Sequence, residues 1–409
     1  MAGRDSANMQ SRKGAARRVL FGVAAGAGVF LAAAAMATGS AVTAAPAKAD
    51  VDAFIEPIVT SLSDAIAGFD PAAATDLTSW TDSLLSSLNS ADFALPAAAV
   101  PASDPPEADP TTGTYDIPIT IQEDTEPTVN ATIDGGPDQT LLVDTGSSGL
   151  VIPWDYLGSN VFASLEDLFT LGFPTGISEA GYSGGVQYIF LEYDNATVDY
   201  GGALTTTSTP IDVEIFSWSD SDAAGAPSSF EQFLQDDDST GILGIGDSAS
   251  TAGPTASPLE ADGYDGVTVD IPNVPDALDE PDGNLIVEPS NPFTALGTES
   301  GAPIANLYES VNYGTPIPVS DDVDSGGVYG TIPSSLDSSV PDGTVISVYD
   351  NSLGTGMPLY SYTVGNDTPD GTSEAPGVTS GTSIDSGIEA FFGVPVYIDY
   401  STDQMAFDE

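Results

Sequence analysis

A predominantly β-stranded body behind a small helical segment is the fold class this sequence predicts, and three observations predict it. From residue 115 onward, short runs of β type recur ("YDIPITI", "TVNATI", "TLLVD", "VQYIFLEY", "VYIDYS"), punctuated by Gly, Asp, Asn and Pro. Helical periodicity instead occupies residues 50–93. The 409-residue chain also contains no Cys, so no disulfide is available and the fold must rest on its own core.

Residues 1–49 read as an export signal. A basic stretch ends at Arg17-Arg18, a small and apolar run follows from Val19 to about Ala45, and Ala47-Lys48-Ala49 supplies a small-x-small cleavage site. The apolar run is also long enough to serve as an uncleaved anchor. "ARRVLFG" is a loose match to a twin-arginine signal.

Within 50–93, Phe54, Ile55, Ile58, Val59, Leu62 and Ile66 fall on one helical face. Asp70-Pro71 reads as an N-cap and first residue of a second helix, with the stripe Leu77, Trp80, Leu84, Leu85 and Leu88. Such a helical hairpin is too small to be a comfortable domain; it docks on the main body, binds a partner or acts as a pro-segment. Residues 94–114 form a Pro/Ala-rich linker, extended and semi-rigid. In the β region, two Ser/Gly/Asp/Pro-rich stretches, about 217–240 and 247–284, are expected to be surface insertions.

Composition narrows the chemistry before any motif is read. All six basic residues lie within the first 48 positions, together with only one of the 61 acidic residues, and there is no His. The remaining polyanion repels nucleic acid and anionic membrane surfaces. Without His, Cys or Lys there is no Ser-His-Asp triad, no Cys-His pair and no His- or Cys-ligated zinc. Acid/base groups must then be Asp, Glu or Tyr, and no cofactor or metal is expected. Mutual repulsion of ionised carboxylates raises their folded-state pKa values and favours the fold in acid. A solvated acidic surface in high salt is the alternative reading.

One stretch stands out. "LLVDTGSSGLVIP" (141–153) carries Asp144 between two apolar runs, in a turn whose Gly146 lets backbone amides approach the carboxylate. If Asp144 is catalytic it needs a second carboxylate, and the residues offer Asp324 in "VDSGGVYGTIP" and Asp385 in "SIDSGIEAFFG". A two-carboxylate glycosidase fits the composition. A Ca²⁺-dependent surface protein fits the acidity, but no Asp-x-Asp-x-Asp-Gly loop is present.

The stretch resembles the first active-site loop of pepsin-like aspartic proteases, a family of two β-lobes that each contribute one Asp and a later hydrophobic-hydrophobic-Gly brace. The resemblance implies an all-β, bilobal pepsin-like aspartic protease domain over 115–409, with an N-lobe at about 115–300 and a C-lobe at about 301–409. "GILGIG" (241–246) is similar to the first brace through Ile242-Leu243-Gly244, and "AGYSGGVQYIF" to the flap, with Tyr182, Ser183 and Gly184 at its tip. The same order in the second lobe selects Asp324, since Asp385 leaves too little chain for the rest of a lobe. It assigns the second brace to Phe391-Phe392-Gly393 and closes the chain with the hairpin "VPVYIDYSTDQMAF". More narrowly, the chain resembles the secreted aspartic protease domains linked to mycobacterial PE and PE-PGRS proteins, without the Gly-rich repeats or a PE domain.

The resemblance implies Asp144 and Asp324 as the catalytic pair. Thr145 and Ser325 would cross-brace the loops, and Gly146, Ser147 and Gly326 would support them. Ser147 offers Asp144 a hydroxyl that Gly327 does not offer Asp324, so Asp324 is expected to hold the shared proton. Val151 stands where the family commonly has the Trp that holds the flap Tyr, and Trp154 lies nearby. The expectation is a monomeric, secreted or cell-envelope endopeptidase acting on polypeptides, including surface or secreted proteins or itself. It would have no nucleic-acid partner and no membrane span once the signal is cleaved. A catalytically silent pepsin-like peptide binder at the cell surface is the alternative.

Overall fold

The computed structural model describes residues 113–408 apart from 173, 183–185, 220–225, 249–254, 273–280, 289, 292–294 and 366–374, together with Ser79. The described residues from 113 onward, apart from 168–170, belong to one compact unit. The export signal, the helical hairpin (apart from Ser79, which is helical) and the linker up to residue 112 lie outside the described residues.

Among the described residues the strands form a 14-stranded sheet, a five-stranded sheet and a two-stranded parallel pair. The fold is all-β, as its sequence pattern predicts. In the large sheet, strand Gln139–Asp144 runs into the first loop and Ser148–Pro153 leaves it. Strand Gly241–Ile245 lies between them, parallel to the first (Leu142 opposite Ile242, Asp144 opposite Gly244) and antiparallel to the second (Leu150 opposite Leu243). All residues of this inserted strand are buried because both faces of the sheet are covered here, which is why it reads as a continuous apolar run. Leu142, Val151, Ile242, Val186, Tyr188, Phe190, Phe230 and Leu234 form the core directly beneath the loop.

The second loop leaves the five-stranded sheet. Strand Ile304–Val311 is central, flanked by Ile317–Asp322 on one side and Val345–Tyr349 on the other. Ile317–Asp322 leads to Asp324, and Ser383–Asp385 pairs with it in parallel, Asp322 opposite Asp385. A smaller core of Ile332, Val340, Ile346 and Val364 lies in this half.

Two expectations need correction. The segment that braces the second loop is 383–387, not Phe391-Phe392-Gly393. Phe392 bridges Ile271 and the Gly393 amide donates to the Ile271 carbonyl at 2.8 Å, so that tripeptide docks on the large sheet instead. The stretches expected to be surface insertions also contain structural elements. Helix Phe230–Asp236 buries Phe230 and Leu234, and strand Gly266–Asp270 pairs with Gly283–Glu288 and with Val396–Asp399 of the terminal hairpin. Its alternate residues Val267 and Val269 are fully buried, a two-residue signal too short to stand out among Ser, Gly and Asp.

Candidate active site

Both loops carry the same local logic. An apolar strand delivers the Asp, and the next three residues turn so that backbone amides point back at its carboxylate. Asp144 and Asp324 are buried, and the described residues contain no basic side chain, since none follows position 48. Their charge is met by dipoles. The Gly146 amide donates to Asp144 Oδ1 at 2.9 Å and also to Asp324 Oδ1 at 3.2 Å, so the two inner oxygens flank one N–H. The Gly326 amide donates to Asp324 Oδ1 at 3.0 Å. The Ser147 hydroxyl donates to the other oxygen of Asp144, Oδ2, at 2.5 Å.

Glycine at 326 has a steric reason. A Cβ there would lie 3.1 Å from Asp144 Cγ and Oδ1, so the second loop's backbone passes against the first loop's carboxyl.

The loops are held to each other by a reciprocal hydroxyl pair. Thr145 Oγ1 donates to the Val323 carbonyl at 2.7 Å and accepts the Ser325 amide at 2.9 Å. Ser325 Oγ donates to the Val143 carbonyl at 2.6 Å and accepts the Thr145 amide at 3.1 Å. Four bonds thus cross between lobes through two fully buried side chains, each hydroxyl using both donor and acceptor capacity. This fixes the spacing of the aspartates without any charged group.

Beneath each loop sits a brace glycine. A Cβ on Gly244 would lie 2.7–2.8 Å from the backbone of Ser147 and Ser148, and one on Gly387 would lie 2.5–2.8 Å from Val328, Tyr329 and Gly330. The two strand registers superpose these glycines: Asp322 and Leu142 each stand two residues before their Asp, opposite Asp385 and Ile242. In the second lobe, therefore, Asp385-Ser386-Gly387 takes the place of Ile242-Leu243-Gly244. Ser386 Oγ accepts the Asp324 amide at 3.0 Å, a support that a Leu cannot give.

Tyr182 ends the first strand of the hairpin Gly176–Tyr182 and Val186–Ala196; Ser183 and Gly184 lie outside the described residues. The Tyr182 ring stacks on Phe233 (5.4 Å, 13°), Tyr188 (5.6 Å, 9°) and Phe230 (5.9 Å, 16°). Sequence reasoning missed Tyr188, Phe230 and Phe233. Tyr188 is buried, and its hydroxyl is pushed well above the usual tyrosine range by burial first, then by Tyr182 and the charges of Asp212 and Asp144. It therefore remains a neutral donor beside the first loop. Alternation through Val186, Tyr188 and Phe190 places it on the core face, a signal present in "GVQYIFLEY".

Comparison with known proteins agrees with the all-β fold. The model of the PE-PGRS C-terminal aspartyl peptidase-like domain matches residues 115–406. PE cleavage protein A of Mycobacterium tuberculosis (strains CDC 1551 / Oshkosh and ATCC 25618 / H37Rv) is 38% identical over 302 residues, covering 70% of this chain and 50% of that protein. PE cleavage protein A of Mycobacterium marinum is 36% identical over the same length and shares. The chain spans about half the length of these curated relatives. With two buried Asp-Thr/Ser-Gly loops joined across a large β-sheet body, and a family match over nearly the whole of that body, the chain belongs to the PE-PGRS C-terminal aspartyl peptidase-like family.

Proposed function

We propose that this protein is a secreted aspartic endopeptidase in which Asp144 and Asp324 activate one water between them. The shared Gly146 amide is the observation that carries the reading, because it brings the inner oxygens of both carboxylates to a single donor. In the proposed reaction the pair holds one proton. The ionised carboxylate takes a proton from the water as its oxygen bonds to the scissile carbonyl carbon, while the protonated one donates to the carbonyl oxygen. As the resulting diol collapses the C–N bond breaks, the proton gained from the water passes to the leaving amine, and a diol hydroxyl returns its proton to the carboxylate that had donated. The Thr145–Ser325 pair keeps the carboxyls at reacting distance, and the Tyr182 hairpin covers the bound chain. Titration belongs to the pair rather than to either residue.

The relatives' name, PE cleavage protein, supports polypeptides of the PE class as substrates. Export through residues 1–49 would place the enzyme outside the cytoplasm or at the cell envelope, with 50–93 as a docking or pro-segment module. Nothing between residues 50 and 114 is basic, so an electrostatic lock on the aspartates is unavailable and any pro-segment must occlude sterically.

Incubation of the protein with labelled casein from pH 3 to 7, with and without pepstatin, tests the reading. Wild type is expected to cleave and to be inhibited, while Asp144→Ala and Asp324→Ala are inactive. Cleavage that survives Asp144→Ala removes the mechanism. A wild type that binds casein but never cuts it makes the protein a peptide binder.

A further inference from the structure

The two loops differ at one position in the hydroxyl offered to the aspartate, and the structure fills the difference with a third carboxyl. Three residues after Asp144, Ser147 places a hydroxyl on the outer oxygen of that carboxylate. Three residues after Asp324 stands Gly327, which has no side chain to offer. Its backbone does not require glycine, since it is absent from the left-handed region. What excludes a side chain is Asp385. A Cβ on Gly327 would overlap Asp385 Oδ1, and would lie 2.7 Å from Asp385 Cγ and 2.9 Å from Oδ2. The carboxyl of the brace thus occupies the space that the missing side chain would fill. In the first lobe the corresponding brace residue is Ile242, which is buried in the core and makes no such approach.

Resting on the aspartic-peptidase reading above, we propose that Asp385 is the positioning residue of Asp324, a protonated carboxyl that supplies the hydrogen bond Ser147 supplies to Asp144. Asp385 is itself fixed on several sides. Its strand lies parallel to the strand entering the second loop, its amide donates to the Thr331 hydroxyl at 3.0 Å, and its Oδ1 accepts the Gly387 amide at 2.9 Å. A proton on the group therefore resides on Oδ2. Asp322 is its register partner, the Asp324 amide donates to the hydroxyl of the adjoining Ser386, and among the described residues there is no basic side chain to offset a further negative charge. A carboxyl packed against this loop with no such cation beside it favours its protonated form. Asp324 then accepts from the Gly146 and Gly326 amides and from Asp385, against the Gly146 amide and the Ser147 hydroxyl at Asp144, and the expectation that the shared proton rests on Asp324 for want of a hydroxyl no longer follows.

The test is steady-state cleavage of labelled casein by the full chain and five variants, with thermal unfolding at the assay pH as the folding check. Asp385→Ala is expected to lower kcat on the order of 10- to 100-fold with KM near wild type, the size of a lost hydrogen bond to a charged group. Asp385→Asn keeps an acceptor for Gly387 and a donor for Asp324, and is expected to stay within about threefold of wild type. Asp385→Ala also opens the space beside Gly327. Adding Gly327→Ser is expected to restore most of the lost kcat, whereas adding Gly327→Ala is not. Gly327→Ser alone, with Asp385 in place, is expected to impair the enzyme. A folded Asp385→Ala with wild-type kcat overturns the proposal, as does equal recovery by Ser and Ala at 327. If Asp385→Ala does not fold, a large loss of kcat in Asp385→Asn overturns it and retention supports it. Absence of Asp144-dependent cleavage by the wild type overturns the peptidase reading together with this one; the other outcomes leave that reading intact.

Discussion

Replacing Glu309 by Gln should change how the protein's stability responds to pH, and the structure sets the size. Glu309 lies on the central strand of the five-stranded sheet, 1% exposed, with Oε2 buried and without a hydrogen-bond partner. Burial, with the neighbouring Asp321 charge adding, pushes its carboxyl from 4.5 up to about 9. Asp321, on the adjacent strand entering the second loop, is raised to about 7 by burial, although the Tyr360 hydroxyl donating at 2.7 Å pulls the other way. A carboxyl raised on folding binds its proton more tightly in the folded state than in the unfolded one. Its contribution is fully present below the unfolded value and is lost as pH rises toward the folded value. One pKa unit corresponds to about 1.4 kcal/mol, so Glu309 alone withdraws about 4 kcal/mol between roughly pH 4.5 and 7.5. That is a large share of the roughly 5–15 kcal/mol typical of a folded domain. Gln cannot ionise, so the variant lacks this slope. Urea unfolding of wild type and Glu309→Gln at pH 4.5, 6 and 7.5, at fixed ionic strength, measures it. The variant's stability relative to wild type should improve by about 4 kcal/mol across the range, whatever the offset at pH 4.5. Parallel pH profiles would refute the reasoning.

Two further outcomes follow from the loops. Ser325→Ala leaves the buried Thr145 amide and Val143 carbonyl without their cross-lobe partner; a destabilisation of about 2–4 kcal/mol is expected in urea melts, with a fall in kcat larger than any change in KM. Gly244→Ala drives a methyl into the Ser147–Ser148 backbone, and a loss of about 1–3 kcal/mol together with weakened pepstatin binding is expected by titration calorimetry; unchanged affinity would show that the first loop does not depend on its brace.

Burial of carboxyls links the fold's stability to pH. Glu214, on a strand of the large sheet, is raised to about 8 by burial, so both halves of the molecule contain acids that favour the protonated state. Such buried acids lose their contribution to stability as pH rises toward their folded values.

Much of the candidate site was legible because its signals are local. "LLVDTGSSGLVIP" states strand, turn and strand within thirteen residues, and "GILGIG" states a strand buried on both faces. The second brace was misread for the opposite reason. Asp385-Ser386-Gly387 has polar residues where the first lobe has Ile and Leu, and Phe391-Phe392-Gly393 matched the expected pattern better, yet it packs against Ile271. The aromatic seat of Tyr182 was likewise invisible, since Phe230 and Phe233 come from a helix beyond a Ser/Gly/Asp-rich stretch.

By itself the sequence determined the chemistry available: with no His, Cys or basic residue beyond position 48, only carboxyls and hydroxyls are left to act. It also determined where the two Asp-Thr/Ser-Gly turns lie, because a turn's backbone demands are met by adjacent residues. Only the tertiary structure decided which distant segment lies beside each turn. Parallel pairing of Ser383–Asp385 with Ile317–Asp322 is a choice of register between strands far apart in the chain, made by the packing of whole sheets. That choice brings the Asp385 carboxyl against Gly327 and makes the second aspartate's surroundings chemically unlike the first's.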